Sequence, residues 1–235
     1  MSELVRKVDV NCDMGEISAL LADGTQDALL DCVSSVNVSC GAHAGDPDLI
    51  RATILAAIRK GVRIGAHPGY PDPINFGRVA LDMDSGSLAD EITRQLRWFG
   101  ELVEECGGQI VHVKPHGALY NVAVRDKEVA GAISRGVAAW RESVILVGLA
   151  GTSMLEVFRR DGFEVWGEAF ADRTYEADGT LRSRLEADAL IIDPDVAAEQ
   201  ACRLAQDPRV DTICIHSDTP GSVSIARAVA QRCRA

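Results

Sequence analysis

An α/β fold closed as a (β/α) barrel of seven or eight units is what this 235-residue sequence predicts, and three observations carry that expectation. Strand-like apolar runs alternate with helix-like segments almost throughout, as in repeated strand–helix units with right-handed crossovers. Polar clusters follow most of the strand candidates, as expected when loops at the carboxyl ends of barrel strands build a site. An open sheet instead concentrates its site at one switch point, and no Gly-x-Gly-x-x-Gly turn follows the first strand to suggest a dinucleotide crevice.

The first strand is expected near 8–12, closing on Asp13-Met14-Gly15-Glu16. A helix at 25–32 leads to a strand at 34–40, which ends in Cys40-Gly41-Ala42-His43. Asp46-Pro47, an N-cap followed by proline at the first helical position, starts a helix over 46–60 that Gly61 stops. A strand at 62–66 runs into His67-Pro68-Gly69. The stretch from Pro68 to Ser85, rich in proline, glycine and aspartate, has no pattern and is a candidate lid. A helix at 86–106 precedes a strand at 109–114, closed by Lys114-Pro115-His116. Then come a helix at 126–140, a strand at 144–149, a helix at 152–161 stopped by Gly162, and a strand at 164–169. Asp188 to Asp193 reads as an ambiguous eighth strand, and Asp193-Pro194 opens a helix at 194–206. The last strand, 211–216, ends at His216 and a helix at 220–232 completes the chain. With no linker, low-complexity tract or composition shift, residues 1–235 are expected to form one domain.

The totals narrow the function. A formal net charge of −11 argues against a broad basic surface for nucleic acid or an anionic membrane, but not against a small anionic substrate held by a local patch. No apolar stretch approaches the roughly 20 residues that span a bilayer, and the start Met-Ser-Glu-Leu-Val-Arg-Lys-Val-Asp lacks a signal-peptide core. Seven cysteines, an odd number without Cys-x-x-Cys, point to free thiols in a reducing cytoplasm.

Four of the five histidines, His43, His67, His116 and His216, tip strand-like runs, and Asp13 tips a fifth, so one converging site is expected. Asp13 and Glu16, three residues apart beside Asn11, suit cation binding or proton transfer; Asp13 alternatively orients a loop. Cys40 and His43 are spaced like part of a metal site, with a packing thiol as the other reading of Cys40. Preceding a proline, His67 is held extended, which fixes its ring direction. Asp72 and Arg78 either fold over a substrate or are solvated. Lys114 ends an apolar strand, where a lysine is costly unless paired or catalytic. It shares a face with His112, whose expected role is that of a buried, hydrogen-bonded core histidine. Lys114 stabilises an oxyanion, holds an acidic group or sits in a satisfied ion pair. After the sixth strand, Glu168 and Asp172 precede Arg173, whose fork suits a carboxylate or phosphate, and Arg182 and Arg184 extend that patch. Asp218 orients His216, or Thr219 caps the final helix ahead of Pro220.

Read in order, these clusters resemble the lactam-utilisation family of LamB/YcsF type, whose members include the A subunit of bacterial ATP-dependent 5-oxoprolinase. The resemblance rests on Asn-Cys-Asp-Met-Gly-Glu at 11–16, Asn37 through Asp46-Pro47, and Gly-Ala-His-Pro-Gly-Tyr-Pro-Asp at 65–72. It continues through Val-Lys-Pro-His-Gly-Ala-Leu-Tyr-Asn at 113–121, Glu168 through Tyr175, and Cys-Ile-His-Ser-Asp-Thr-Pro at 214–220. It implies a distorted, seven-stranded, TIM-like (β/α) barrel related to the glycoside hydrolase/deacetylase fold. The implied reaction is ATP-coupled hydrolysis of the lactam of 5-oxo-L-proline to L-glutamate. In that system the partner 5-oxoprolinase subunits B and C activate the lactam by phosphorylation, and the A subunit hydrolyses it. The chain departs from the family pattern at Ile17, at Val79, where a second arginine is usual, and at Ser217, where glycine is usual, which bears on the exact substrate.

A lactam is an unreactive amide, so its hydrolysis needs an activated carbonyl, a base for water and a stabilised oxyanion. Without a Gly-x-x-x-x-Gly-Lys-Ser/Thr loop in the sequence, the ATP site is expected on a partner. The expected catalytic residues are Asp13, Glu16, Lys114 and His116. Asn11, His43, His67, Tyr120, Glu168, Arg173, His216 and Asp218 are expected to bind substrate. A divalent metal, if bound, is expected on Asp13, His43, His67 and His116. The alternatives are a stand-alone metal-dependent amidohydrolase or deacetylase acting on another small amide, and a non-catalytic component that presents ligand to a partner.

Overall fold

A computed structural model describes residues 8–233. The stretch before the first strand, expected to lack a signal-peptide core, lies outside the described residues. The strands are β1 (Asp9–Met14), β2 (Ser35–Ser39), β3 (Arg63–His67), β4 (Ile110–Val113), β5 (Ile145–Leu149), β6 (Val165–Phe170) and β7 (Thr212–His216). They pair in parallel in chain order, and β7 returns to β1 to close a barrel. Distortion is visible where β4 joins its neighbours: the β3–β4 register shifts between Ile64 and Gly65, and β4–β5 pairing is short.

The helices are α1 (Ser18–Ala22), α2 (Thr25–Leu30), α3 (Pro47–Lys60), α4 (Ser85–Glu105), α5 (Gly117–Ala123), α6 (Lys127–Ala138), α7 (Ser153–Arg160), α8 (Pro194–Leu204) and α9 (Ser222–Cys233). The Asp46 carboxylate accepts from Asp48 N and Leu49 N to cap α3, and Gly61 ends it at φ 67°, the left-handed region glycine favours. Asp193 caps α8 in the same way. In α4, Leu88, Ile92, Leu96, Phe99 and Val103 recur at helical spacing and are buried against the barrel.

The seven predicted strands are all present, within two residues at each end. Asp188–Asp193 is not an eighth. Leu190 makes only an isolated antiparallel bridge to Arg173, and Ile191 N donates to Asp172 O, so this stretch pins the loop after β6. Two short helices, α1 and α5, lie outside the predicted set, and α9 starts two residues later than expected. Thr219 does not cap α9; its hydroxyl donates to Asp172 Oδ2.

Alternation along the strands sorts the core into two parts. Val10, Cys12, Val36, Val38, Val113, Ile213 and Ile215 belong to the apolar core. The intervening positions, among them Asn11, Asp13, Asn37, His112, Lys114 and Thr212, are buried and hydrogen-bond to one another across the barrel. Gly65 makes room for this packing: a Cβ there would lie 2.0 Å from His112 Nε2. The barrel interior is thus a polar network, and such a network is stable only when its members are satisfied.

Candidate active site

The lowest tier is a set of amides that aims two carboxylates. His112 Nε2 donates to Asn37 Oδ1 at 2.7 Å, and Asn37 Nδ2 donates to Asn11 Oδ1 and Asp13 Oδ1 at 2.7 and 2.8 Å. Asn11 Nδ2 donates to Glu168 Oε1 and Thr212 Oγ1 at 3.0 and 2.7 Å. Asn11, Glu168 and His112 therefore support the site from beneath the cavity that forms its mouth.

Above them Lys114, 2% exposed, directs its ammonium protons into the protein. Its Nζ lies 2.9 Å from Asp13 Oδ1, 2.8 Å from Glu168 Oε1 and 3.1 Å from Cys214 Sγ. Burial opposes the ammonium charge, yet the Asp13 and Glu168 carboxylates raise its pKa well above the ordinary lysine value. Burial also opposes ionisation of Asp13, but His67 and Lys114 hold that carboxyl well below its ordinary range.

The second tier is an imidazole cluster around Glu16. His43 Nε2 lies 2.9 Å and His116 Nδ1 3.2 Å from Glu16 Oε1, and His67 Nε2 lies 3.4 Å from Asp13 Oδ2. His43 stacks on His116 with centroids 3.7 Å apart. It is fully buried behind Glu16, and burial pushes its pKa down to about 4 despite that carboxylate. A neutral His43 therefore donates from Nε2 to Glu16. His67 Nδ1 contacts Lys114 O at 2.7 Å and His116 Nε2 contacts Phe76 O at 2.9 Å. Carbonyl oxygens only accept, so both of these ring nitrogens carry hydrogen. The remaining nitrogens, His67 Nε2 and His116 Nδ1, then face each other at 3.0 Å with lone pairs, beside Glu16 Oε1. Such an arrangement calls for a shared proton or a cation. Burial opposes a charge on His67, but Asp13 overrides it and raises the pKa.

The third tier is His216 on β7. Its Nδ1 and backbone N both donate to Asp172, at 2.9 and 3.0 Å, which turns Nε2 away from that carboxylate; its ring stacks on Phe170. Asp172, fully buried, orients His216, whereas Asp218 instead binds Arg78 and Arg184 at 2.5 and 3.0 Å. Asp172 is not singled out as the partner of His216 by the sequence alone. Its one signal is a second acid four residues after Glu168, at the end of a strand.

The candidate lid lies on the imidazole cluster. Phe76, at φ 56°, turns its carbonyl to His116, and Gly77 packs so tightly that a Cβ would lie 2.8 Å from His43 Cβ. Asp72 shapes this loop by accepting from Asn75 N and Nδ2. Of the expected site residues, Asp13, Glu16, His67, Lys114, His116, Tyr120, Arg173, His216 and Asp218 line a cavity of about 870 Å³ at the carboxyl ends of the strands. Arg78, Arg182 and Arg184 line it too. Tyr120 OH and Glu168 Oε2 are buried, and among the described residues neither reaches hydrogen-bond geometry, though burial and the nearby Glu168 carboxylate push the Tyr120 pKa up.

Residues 8–235 match the LamB/YcsF family. The chain belongs to that family. It is 44% identical over 234 residues to a Chloroflexus aggregans protein named as the A subunit of 5-oxoprolinase, covering 94% of this chain and 93% of that one. It is 40% identical to a protein of the same name from Tolumonas auensis, covering 95% and 94%. A lactam utilization protein from Thermus thermophilus superposes with a TM-score of 0.88 at 36% identity, covering 97% and 96%. The catalytic domain of a peptidoglycan N-acetylglucosamine deacetylase from Eubacterium rectale shares the fold at a TM-score of 0.52 and 9% identity, covering 97% and 85%. No helix among the described residues is long and apolar enough to cross a membrane.

Proposed function

We propose that this chain is the lactam-hydrolysing component, the A subunit, of a cytoplasmic, ATP-dependent 5-oxoprolinase, converting 5-oxo-L-proline to L-glutamate with subunits B and C. The observation that supports it best is the pairing of two poised carboxylates, Asp13 and Glu16, with three imidazoles at the floor of one cavity, in a chain so similar to proteins of that name. Net, water adds to the lactam carbonyl carbon, the ring C–N bond breaks, and the nitrogen gains a proton as the amine of glutamate. Asp13 Oδ2, the oxygen that Lys114 leaves free, and His67 beside it take the proton from water. That proton is handed on to the leaving nitrogen through the facing His67 and His116 nitrogens or through His216 Nε2, each of which holds a lone pair that can accept and release it. Lys114 acts by fixing Asp13 and Glu168, since its donors are engaged. Tyr120, which lines the cavity and whose OH has no hydrogen-bond partner among the described residues, suits the polar edge of the ring. The partners supply ATP-driven activation of the carbonyl, in keeping with the lack of a phosphate loop in this sequence.

A second reading, a metal-dependent amidohydrolase acting alone, is favoured by the facing lone pairs of His67 and His116. Ligand atoms of Glu16, His67 and His116 lie within 4.8 Å of one another, which suits a divalent ion. Those three residues would hold it; His43 would not, because its Nε2 serves Glu16. When bound, such an ion lowers the pKa of water and polarises a carbonyl. Glutamate release from 5-oxoproline, with and without ATP and the partner subunits, tests both readings, with metal content measured on each preparation. Release that needs ATP and partners supports the first reading. Amide hydrolysis by the metal-loaded chain alone supports the second. No glutamate from the reconstituted system overturns the first.

A further inference from the structure

The cavity has a second chemical pole. Its floor is carboxylate and imidazole, whereas its outer wall is guanidinium. Six cationic side chains line it against four anionic ones, a local excess of two positive charges in a chain whose formal net charge is −11. Field lines from such a patch focus into a recess walled by protein and draw anions to it against the charge of the whole molecule.

Arg173 is the clearest sign of a ligand. It is 4% exposed and lines the cavity, yet among the described residues no carboxylate lies within ion-pair distance of it. Its Nε donates to Ala189 O at 3.3 Å and its Nη2 to Arg182 O at 2.5 Å, which leaves Nη1 without an acceptor among the described residues. Burial and the neighbouring charge of Arg184 push its pKa down to about 10, the mark of a cation short of compensation. A buried guanidinium is costly unless an anion completes it.

Two further guanidinium groups converge on the same wall from different parts of the chain. Arg78 arrives on the lid after β3 and Arg184 on the loop after β6, and Asp218, after β7, holds both. Arg78 gives Asp218 its Nη2 and Arg184 its Nη1, so each keeps other donors open. Asp218 therefore acts as the clamp that keeps two like charges adjacent. One planar carboxylate is matched by the fork of a single arginine. Separate donors from three arginines, carrying more charge than Asp218 neutralises, match a tetrahedral dianion better.

We propose that Arg78, Arg173 and Arg184 form a phosphoryl-binding subsite at the cavity mouth, positioned by Asp218. If the lactam-hydrolase reading holds, on which this identification of the ligand rests, the phosphoryl group is the one carried by the activated lactam. The subsite then holds the activated substrate by its phosphoryl oxygens, with the carbonyl carbon over Asp13 and His67. Once water has added and the ring C–N bond has broken, a second water cleaves the acyl phosphate to glutamate and inorganic phosphate.

The test is calorimetric titration of the full chain with inorganic phosphate, alongside acetate and L-glutamate as carboxylate probes. Phosphate is expected to bind at least about tenfold more tightly than either carboxylate. R78Q and R184Q, both on loops, are each expected to weaken it about ten- to hundredfold, the range for a charged hydrogen bond, with the melting temperature unchanged. R173K, which keeps the charge but loses the fork, is expected to weaken it as well. The proposal is overturned if acetate or glutamate binds as tightly as phosphate, if R78Q and R184Q bind phosphate like the wild type, or if phosphate gives no saturable heat. Glutamate release from the reconstituted system is scored separately. Phosphate binding without lactam hydrolysis sinks only the lactam reading, and hydrolysis without phosphate binding sinks only the subsite.

Discussion

Replacing Lys114 by methionine tests whether one ammonium holds the interior of the barrel together. Methionine keeps most of the length of the side chain and removes the charge that Asp13 and Glu168 share at 2.9 and 2.8 Å. Removing one partner of a buried pair costs about 3–5 kcal/mol, because an uncompensated charge stays behind. Here two buried carboxylates lose the same partner, so the upper end, about 5 kcal/mol, is expected out of a total stability of roughly 5–15 kcal/mol. The sign of the pH dependence follows from the shifts. The Asp13 carboxyl is depressed, so its contribution is present above the ordinary value of 3.8 and is lost as pH falls through its folded value. The Lys114 ammonium is raised, so its contribution is complete below 10.5 and is lost as pH rises through its folded value. Neutral pH lies inside that window. Urea unfolding at pH 7, followed by circular dichroism, measures the loss. Asp13→Asn in the Lys114→Met background then restores part of it, and the four proteins form a double-mutant cycle. A loss below about 1 kcal/mol, or a coupling energy near zero, would refute the idea that the pair is integral to the fold.

Asp172→Asn is expected to lower kcat of the reconstituted enzyme by at least about tenfold with a smaller change in KM, because His216 loses the acceptor that fixes its tautomer. The same substitution costs about 1.5–3 kcal/mol in urea unfolding. Gly65→Ala places a methyl group against His112 and is expected to cost about 1–3 kcal/mol, seen as a drop in melting temperature, whereas an unchanged melting point would mean that β3 and β4 yield easily. Burial pushes the pKa of His112 down to about 4 from an ordinary 6.5. The unfolded imidazole therefore takes up a proton that the folded one refuses, and stability falls as pH drops through that interval. Urea midpoints between pH 7 and pH 4.5 should fall less steeply in His112→Gln.

Much of the barrel is legible in the sequence because its strands are short apolar runs that stop at glycine, proline or an ionisable group. The two unpredicted helices have physical reasons. α5 spans only Gly117–Ala123, and α1 buries none of its residues, so neither displays the apolar stripe that announces a helix. The types of the site residues are legible at the strand ends, but their pairing is not. Lys114 meets Asp13 across 101 positions of sequence and Asn11 meets Glu168 across 157, distances at which no local pattern carries information. Asp172 shows the same limit, since its partner His216 lies 44 residues away. The contact of His43 Nε2 with Glu16, 27 residues earlier, is another that no local pattern announces.

The closing seam between β1 and β7 has a consequence for how the molecule is made. Thr212 reaches Asp9 across 203 positions, so the first strand emerges from the ribosome long before the strand that completes it exists. At about 5–20 residues per second, that interval lasts roughly 10–40 s. Throughout it one edge of β1 has no neighbour, and Asp13 sits on an open sheet. An exposed strand edge is a template for pairing with other chains. A nascent chain of this protein therefore carries an unpaired β1 edge until β7 is synthesised, and a chaperone that covers the first strand would shield it over that interval.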